Sequence, residues 1–243
     1  MNMNDVKKIE DLRIHLYADG SEEKAMLGMA KVPYIQGFTT NPTLMHKAGV
    51  TLYATFAKKI VAAIPDKSIS FEVFSDDFGE MERQARLIAS WGEHVYVKIP
   101  ITNTKGESSA PLIKTLSESG IKLNVTMILL VSQVETAVNA LSASTPSIVS
   151  VFAGRVADIG MDPIPLMQES KRLTSQKPNI SLLWASTREL FNIYEAERVG
   201  CEIITVPYNI LNKLDHIGSD LEKLSLDGVK TFFEDGKASG FSL

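Results

Sequence analysis

Cysteine is almost missing from this chain. Cys201 is the sole thiol among 243 residues, which excludes an internal disulfide and leaves it as a small core residue. Long apolar runs are missing too: none approaches the roughly 20 residues that span a bilayer. Met1 to Leu12 mixes charges with single apolar residues, so no signal peptide is visible. Neither sign of charge is in large excess. A formal net charge of -4 gives no electrostatic reason to expect nucleic acid or an acidic membrane as partner. The histidines, His15, His46, His94 and His216, share no ligand spacing with one another or with Cys201, so no metal is expected. His15 and His94 read instead as strand-packing residues. These absences leave a soluble, cytoplasmic protein as the expectation.

What is present is a beat of short apolar runs separated by helix-like stretches. The runs are Leu12–Ala18, Tyr34–Thr39, Ser68–Phe74, His94–Ile99, Lys122–Ile128, Ser147–Ala153, Ser181–Ala185 and Ile203–Val206. Most are too continuously apolar for a one-sided sheet and suit parallel strands covered on both faces. Between them, Thr51–Ile64 and Glu80–Trp91 carry apolar residues at three- and four-residue intervals. Ser132 with Glu135, and Ser186 with Glu189, have the spacing of helix-starting capping boxes. An open doubly wound sheet fits the same alternation. The count of eight, and the lack of a Gly-rich phosphate loop after the first run, favour a closed α/β barrel, a single (β/α)8 TIM barrel. A 243-residue chain makes one such domain, residues 1–243, with Asp220–Phe233 as a C-terminal helix followed by a Gly/Ser-containing tail.

In such a barrel, chemistry sits at the C-terminal ends of the strands. Asp19 follows the first run, and Thr39-Thr40-Asn41-Pro42 the second. Glu72 and Lys98 lie near the ends of the third and fourth. The fifth carries Asn124 and Thr126, the sixth Ser150 and then Arg155, and the seventh ends in Ser186 and Arg188. Lys98, between Val97 and Ile99, should point opposite to both and into the barrel. Lysine is almost never buried unless paired or functional, so Lys98 is either a structural partner of Glu72 or Asp19 or a carbonyl-attacking amine. Asp19 and Glu72 are candidate proton carriers, or else salt-bridge partners and caps. Arg155 and Arg188 offer forked donors suited to phosphate, or are solvated surface residues. Ser186 caps a helix starting at Thr187, a place that can also attract phosphate.

At these residues the sequence resembles the transaldolase family, including its short fructose-6-phosphate aldolase branch. The matching segments are LYADGS, GFTTNPT, VYVKIPIT, GIKLNVTMI, SVFAGRVAD and WASTREL, with GVKTFFEDG near the C-terminus. The resemblance implies that Lys98 forms an imine with a ketose phosphate. It implies that Asp19 takes the proton from the C4 hydroxyl as the C3–C4 bond breaks, and that Glu72 and Thr126 hold a proton-shuttling water. Asn41, Asn124 and Ser150, with Thr40 beside them, would bind the dihydroxyacetone unit. Arg155, Arg188 and Ser186 would hold the phosphate. No cofactor is implied, and a homo-oligomer is, with the C-terminal helix available to dock on a neighbour.

The aldolase branch has Gln in place of Glu72 and Tyr in place of Phe152. Glu72, Asn124 and Phe152 therefore side with true transaldolases, and Arg188 leans the same way. The chain also departs from the family pattern. Gly20 stands where Thr is usual after the aspartate, Val151 where Pro is usual, and Thr187 where Phe is usual. These rim positions could retune the substrate, for instance toward a sugar with a sulfonate or another anionic end.

Overall fold

The computed structural model describes residues 6–242, so Met1–Asp5 and Leu243, including the first part of the N-terminal segment read above, lie outside the described residues. Eight parallel strands close into a barrel in chain order, β1-β2-β3-β4-β5-β6-β7-β8. After a short 3-10 turn at Ile9–Asp11 come β1 (His15–Asp19), α1 (Glu23–Met29), β2 (Ile35–Thr39), α2 (Pro42–Lys47) and α3 (Tyr53–Ala63). Then follow β3 (Ser68–Glu72), α4 (Phe78–Ala89), β4 (Val95–Pro100), α5 (Ala110–Glu118), β5 (Leu123–Ile128) and α6 (Val131–Ala140). The last part comprises β6 (Ser147–Val151), α7 (Ala153–Asp158), α8 (Ile164–Thr174), β7 (Ile180–Trp184), α9 (Phe191–Val199), β8 (Ile203–Pro207), α10 (Tyr208–Leu211) and α11 (Leu221–Ser239). Each apolar run of the sequence became a strand, and the single (β/α)8 barrel is the observed fold.

The continuous apolarity of the runs divides between two environments. One face of each strand, with Leu16, Phe38, Phe71, Val97, Val125, Val149, Trp184 and Ile204, packs outward against the helices in the main core. Burying each such side chain contributes roughly 1.5–3 kcal/mol. The other face fills the barrel, and it is largely polar. A small apolar group, Tyr17, Ile148, Leu183, Ala185 and Ile203, is joined inside by buried Ser70, Lys98, Asn124, Ser150 and Thr205. Gly37 is needed here, because a methyl group on it would lie 2.6 Å from the Tyr17 ring.

Several local expectations need correction. Neither capping box forms. Ser132 lies within the first turn of α6, and Gln133 does the capping: its Oε1 accepts the backbone N–H groups of Leu129 (2.9 Å) and Leu130 (3.1 Å). The helix after β7 starts only at Phe191, so Ser186 caps nothing. Asn192 Oδ1 instead accepts from the N–H of Arg188 (2.9 Å) and Glu189 (3.1 Å). His15 and His94 are exposed rather than packed, because each sits at the edge of its strand's covered segment. The C-terminal helix runs on through the Gly/Ser tail to Ser239, with Gly240 closing it in the left-handed conformation (φ 68°).

Candidate active site

The strand ends open into a cavity of about 620 Å³. Its lining includes Asp19, Asn41, Glu72, Lys98, Thr126, Ser150, Arg155, Ser186 and Arg188 from the sequence reading. Register explains the gathering. Glu72 on β3 is the direct neighbour of Lys98 on β4, and Lys98 that of Asn124 on β5. Residues in register on neighbouring parallel strands point to the same face of the sheet, so these side chains enter the barrel side by side.

Lys98 is 7% exposed, and both partners of its Nζ are in place: Glu72 Oε2 at 3.1 Å and the Thr40 carbonyl at 3.0 Å. The structural pairing with Glu72 foreseen as one option is therefore real. Lys98 also lines the cavity, so the pairing does not remove it from the site. Asp19 lies on β1 opposite Thr39, whose hydroxyl donates to its carboxylate at 2.7 Å. Thr39 has one proton and gives it to Asp19, so Thr205, in very close contact with Thr39, donates in turn. Burial pushes the Asp19 carboxyl above its usual range. The Lys98 charge and the Thr39 hydrogen bond oppose that rise, and the Glu72 charge adds to it.

Ser150, which lines the cavity, donates its hydroxyl to Asn124 Oδ1 at 2.6 Å, and Asn124, fully buried behind it, donates from Nδ2 to Ser70 Oγ at 3.1 Å. Thr126 Oγ1 is buried without a hydrogen-bond partner. The next residue, Met127, has φ 61°, and the β5–β6 register shifts between Val125 and Ile128. This bulge turns the end of β5 beside Thr126. The residues around Asn41 divide their tasks. Asn41 Oδ1 accepts Leu44 N–H at 2.9 Å as the cap of α2, while Thr40 gives its hydroxyl to the Ser70 carbonyl at 2.8 Å. Thr40 thus serves Lys98 through its carbonyl, and Thr39 is the threonine whose side chain faces the cavity.

At the mouth, Arg155 lies over the Phe152 ring at 5.5 Å. Arg188 is engaged by a residue the sequence reading did not single out. Its Nε and Nη2 donate to the two carboxylate oxygens of Asp158 at 2.8 Å and 2.5 Å. That hydrogen bonding, with the attendant charge, holds the Asp158 carboxyl below its usual range. Ser186, also in the lining, adopts the left-handed conformation, φ 66°. Lys47, from the last turn of α2, joins Arg155, Arg188 and Lys98 as a fourth basic side chain of the lining. Lys47 and Thr205 line the cavity without having been named from the sequence, whereas Thr39 and Thr187 were named at the rim without a role. For Thr205, strand parity was the available signal. Among the described residues no group of three His, Cys, Asp or Glu side chains stands where it could hold a metal ion.

A lysine–carboxylate pair inside a barrel, a second buried carboxylate across from it and cations at the rim are consistent with sugar-phosphate chemistry. The comparisons agree with this arrangement. The family model described as Transaldolase/Fructose-6-phosphate aldolase matches residues 16–243. A probable transaldolase of Dehalococcoides mccartyi is 32% identical over 209 residues, 86% of this chain and 91% of that protein. The probable transaldolase of Kosmotoga olearia is 34% identical, covering 83% and 86%, and the probable transaldolase 2 of Listeria monocytogenes is 31% identical, covering 91% and 95%. Among solved structures, 3-hexulose-6-phosphate synthase from Salmonella typhimurium aligns with a TM-score of 0.57 at 13% identity, covering 82% of this chain and 91% of that one. KGPDC from Streptococcus mutans aligns with a TM-score of 0.57 at 10% identity, covering 85% and 99%. Those structures share the barrel alone. With the family model matching residues 16–243, which include every lining residue of the cavity, the chain belongs to the transaldolase/fructose-6-phosphate aldolase family.

Proposed function

We propose that this protein is a Schiff-base transaldolase, moving a dihydroxyacetone unit from a ketose phosphate such as sedoheptulose 7-phosphate or fructose 6-phosphate to an aldose phosphate. The observation that carries the reading is Lys98, buried at the cavity floor with Nζ 3.1 Å from Glu72. As a neutral amine it attacks the C2 carbonyl, and loss of water gives a protonated imine. The partnerless hydroxyl of Thr126 and the Glu72 carboxylate would hold the water that carries protons in that exchange. Asp19, whose burial favours proton uptake, accepts the C4 hydroxyl proton as the C3–C4 bond breaks. The electron pair flows into the imine to leave an enamine on Lys98, and an aldose departs. The acceptor aldose then adds to the enamine with these steps reversed, and hydrolysis frees Lys98. Asn41, Asn124 and Ser150 would hold the three-carbon unit, with Arg155, Arg188 and Ser186 at the phosphate. No residue needs a cofactor in this scheme.

The test is incubation with fructose 6-phosphate, borohydride reduction and peptide mass spectrometry. A reduced three-carbon adduct on the Lys98 peptide supports the reading, and prior addition of erythrose 4-phosphate should discharge it. Accumulation of free dihydroxyacetone without acceptor would make the protein an aldolase instead. Absence of an adduct with that donor, with sedoheptulose 7-phosphate and with sulfonated ketoses would defeat the Schiff-base reading.

The same reading takes the reaction as cytoplasmic and the enzyme as a homo-oligomer. Among the described residues no helix is long and apolar enough to cross a membrane. Support for assembly comes from α11. None of its residues is buried, and it exposes Leu221, Leu224, Leu226, Val229, Phe232 and Phe233, the phenylalanines at 80% and 66%. Apolar surface of that extent marks a protein contact, and an unpacked helix has little stability of its own. Light scattering of the full chain and of a chain ending at residue 219 tests this: the shortened form should be smaller by whole subunits.

A further inference from the structure

From the way the barrel is stitched together beside Glu72, we infer that Tyr53 is a positioning residue for the Glu72–Lys98 pair, acting as a one-hydroxyl substitute for a strand. The inference rests on the proposed Schiff-base role of Lys98.

The pairing of β2 with β3 ends early. Its last register pair is Thr39 with Ser70, followed by a hydrogen bond from Thr40 N–H to the Ser70 carbonyl at 3.1 Å. Beyond this point β2 turns away, because Asn41 caps α2 and Pro42, which has no N–H, opens it. Alternate residues of a strand present both backbone groups to the same neighbour. Ser70 faces β2, so Glu72, two residues on, faces the gap that β2 has left, while Val73 N–H bonds across to Lys98 on β4 at 3.1 Å. A buried N–H and carbonyl without partners would cost about 1–3 kcal/mol each and leave the peptide free to tilt.

Tyr53 closes that gap. Its hydroxyl donates to the Glu72 carbonyl at 2.9 Å and accepts from the Glu72 N–H at 3.0 Å, so one oxygen satisfies both groups. The ring is fixed in turn. It packs edge-on against Phe71 (centroids 6.4 Å apart) and Phe74 (5.4 Å), and tilted on Trp91 (6.0 Å). Burial raises the phenol's pKa, and the Glu72 charge adds to that rise while the Glu72 backbone hydrogen bond opposes it, so the proton it donates stays in place. The end of β3 is thereby held where the Glu72 carboxylate meets Nζ of Lys98.

The experiment compares the full-length protein with Tyr53→Phe, which keeps the ring and deletes the hydroxyl. Ile193→Val, in α9, serves as a control for loss of stability alone. For Tyr53→Phe, kcat should fall about ten-fold, with KM within about two-fold and trapping of the sugar on Lys98 slowed to match. The control should keep kcat within about two-fold. Acetic anhydride labelling of Lys98, with no sugar present, should change by at least about three-fold in Tyr53→Phe and not in the control. Unchanged kcat and unchanged labelling in a folded Tyr53→Phe protein overturn the inference, as does an equal loss in the control. If the wild-type protein traps no sugar on Lys98, the Schiff-base reading fails separately, and the labelling comparison still decides whether Tyr53 positions the pair.

Discussion

Gly20 and Tyr208 occupy one volume. A methyl group built on Gly20 would lie 2.3 Å from Cε2 of Tyr208, 2.6 Å from Cζ and 2.9 Å from its hydroxyl. This gives a physical reason for glycine directly after Asp19, where the family pattern has threonine. The ring tip is enclosed, with its hydroxyl buried and unpartnered, so it cannot swing aside without moving its neighbours. Gly20→Ala should therefore cost about 1–3 kcal/mol of stability, read by urea unfolding. In a Tyr208→Ala background the same substitution should cost less than about 0.5 kcal/mol. Equal costs in the two backgrounds would show that the residues are not coupled.

Thr39 lowers the proton affinity of Asp19. Its hydrogen bond favours the ionised carboxylate against a rise caused chiefly by burial. A base works only when ionised, so activity should increase as pH climbs through the raised Asp19 pKa. Thr39→Val removes the stabilising donor, raises that pKa further and moves the acid limb of kcat/KM to higher pH. A limb that stays in place or moves down would remove Asp19 from the rate-determining proton transfer.

Asp158 puts a negative charge against Arg188, the residue that the proposed function assigns to the phosphate. Asp158→Asn should lower KM for a phosphorylated ketose by about three-fold at low ionic strength, and the gain should shrink as salt screens the site. An increase in KM would mean that Asp158 is needed to aim Arg188 at the phosphate.

Gly154 lets α7 begin hard against the peptide of Ser186. An added Cβ would stand 1.6 Å from the Ser186 carbonyl oxygen, which is backbone and cannot rotate away. Gly154→Ala should cost about 3 kcal/mol or more and raise KM for phosphorylated substrates by displacing Ser186. Thermal unfolding and steady-state kinetics measure the two effects, and a stable variant with wild-type KM would refute the account.

The strands were legible because each is short, apolar and bounded by polar turns. From Tyr34–Thr39 read as Ile35–Thr39 to Ile203–Val206 read as Ile203–Pro207, their ends move by a residue or two. The largest shift is at β1, predicted from Leu12 and starting at His15. Lys98, Glu72 and Asp19 were legible because strand parity and end position aim them at one place. The helix starts were not. Ser132–Glu135 and Ser186–Glu189 have the spacing of a cap, but the loops that lead into α6 and α9 decide which residue begins the turn. Two partnerships between residues distant in sequence were equally hidden. Arg188 meets Asp158 and Tyr53 meets the Glu72 peptide only because the barrel closes, and no local pattern encodes either contact.

The chain of hydrogen bonds from Ser150 through Asn124 to Ser70 has a consequence for what a sugar must offer. Ser150 has given its only proton to Asn124, so toward a ligand its oxygen can accept and cannot donate. Asn124, fully buried behind Ser150, has committed one N–H to Ser70 and keeps one, so its part in the proposed reaction would be to donate. In the proposed reaction the two side chains thus ask for opposite polarities from neighbouring sugar hydroxyls. A fluorine in place of the hydroxyl at Asn124 retains an acceptor there, whereas the same replacement at Ser150 sets two lone-pair-bearing atoms against each other. Fluorosugars would therefore separate the two positions, sparing binding at one and weakening it at the other.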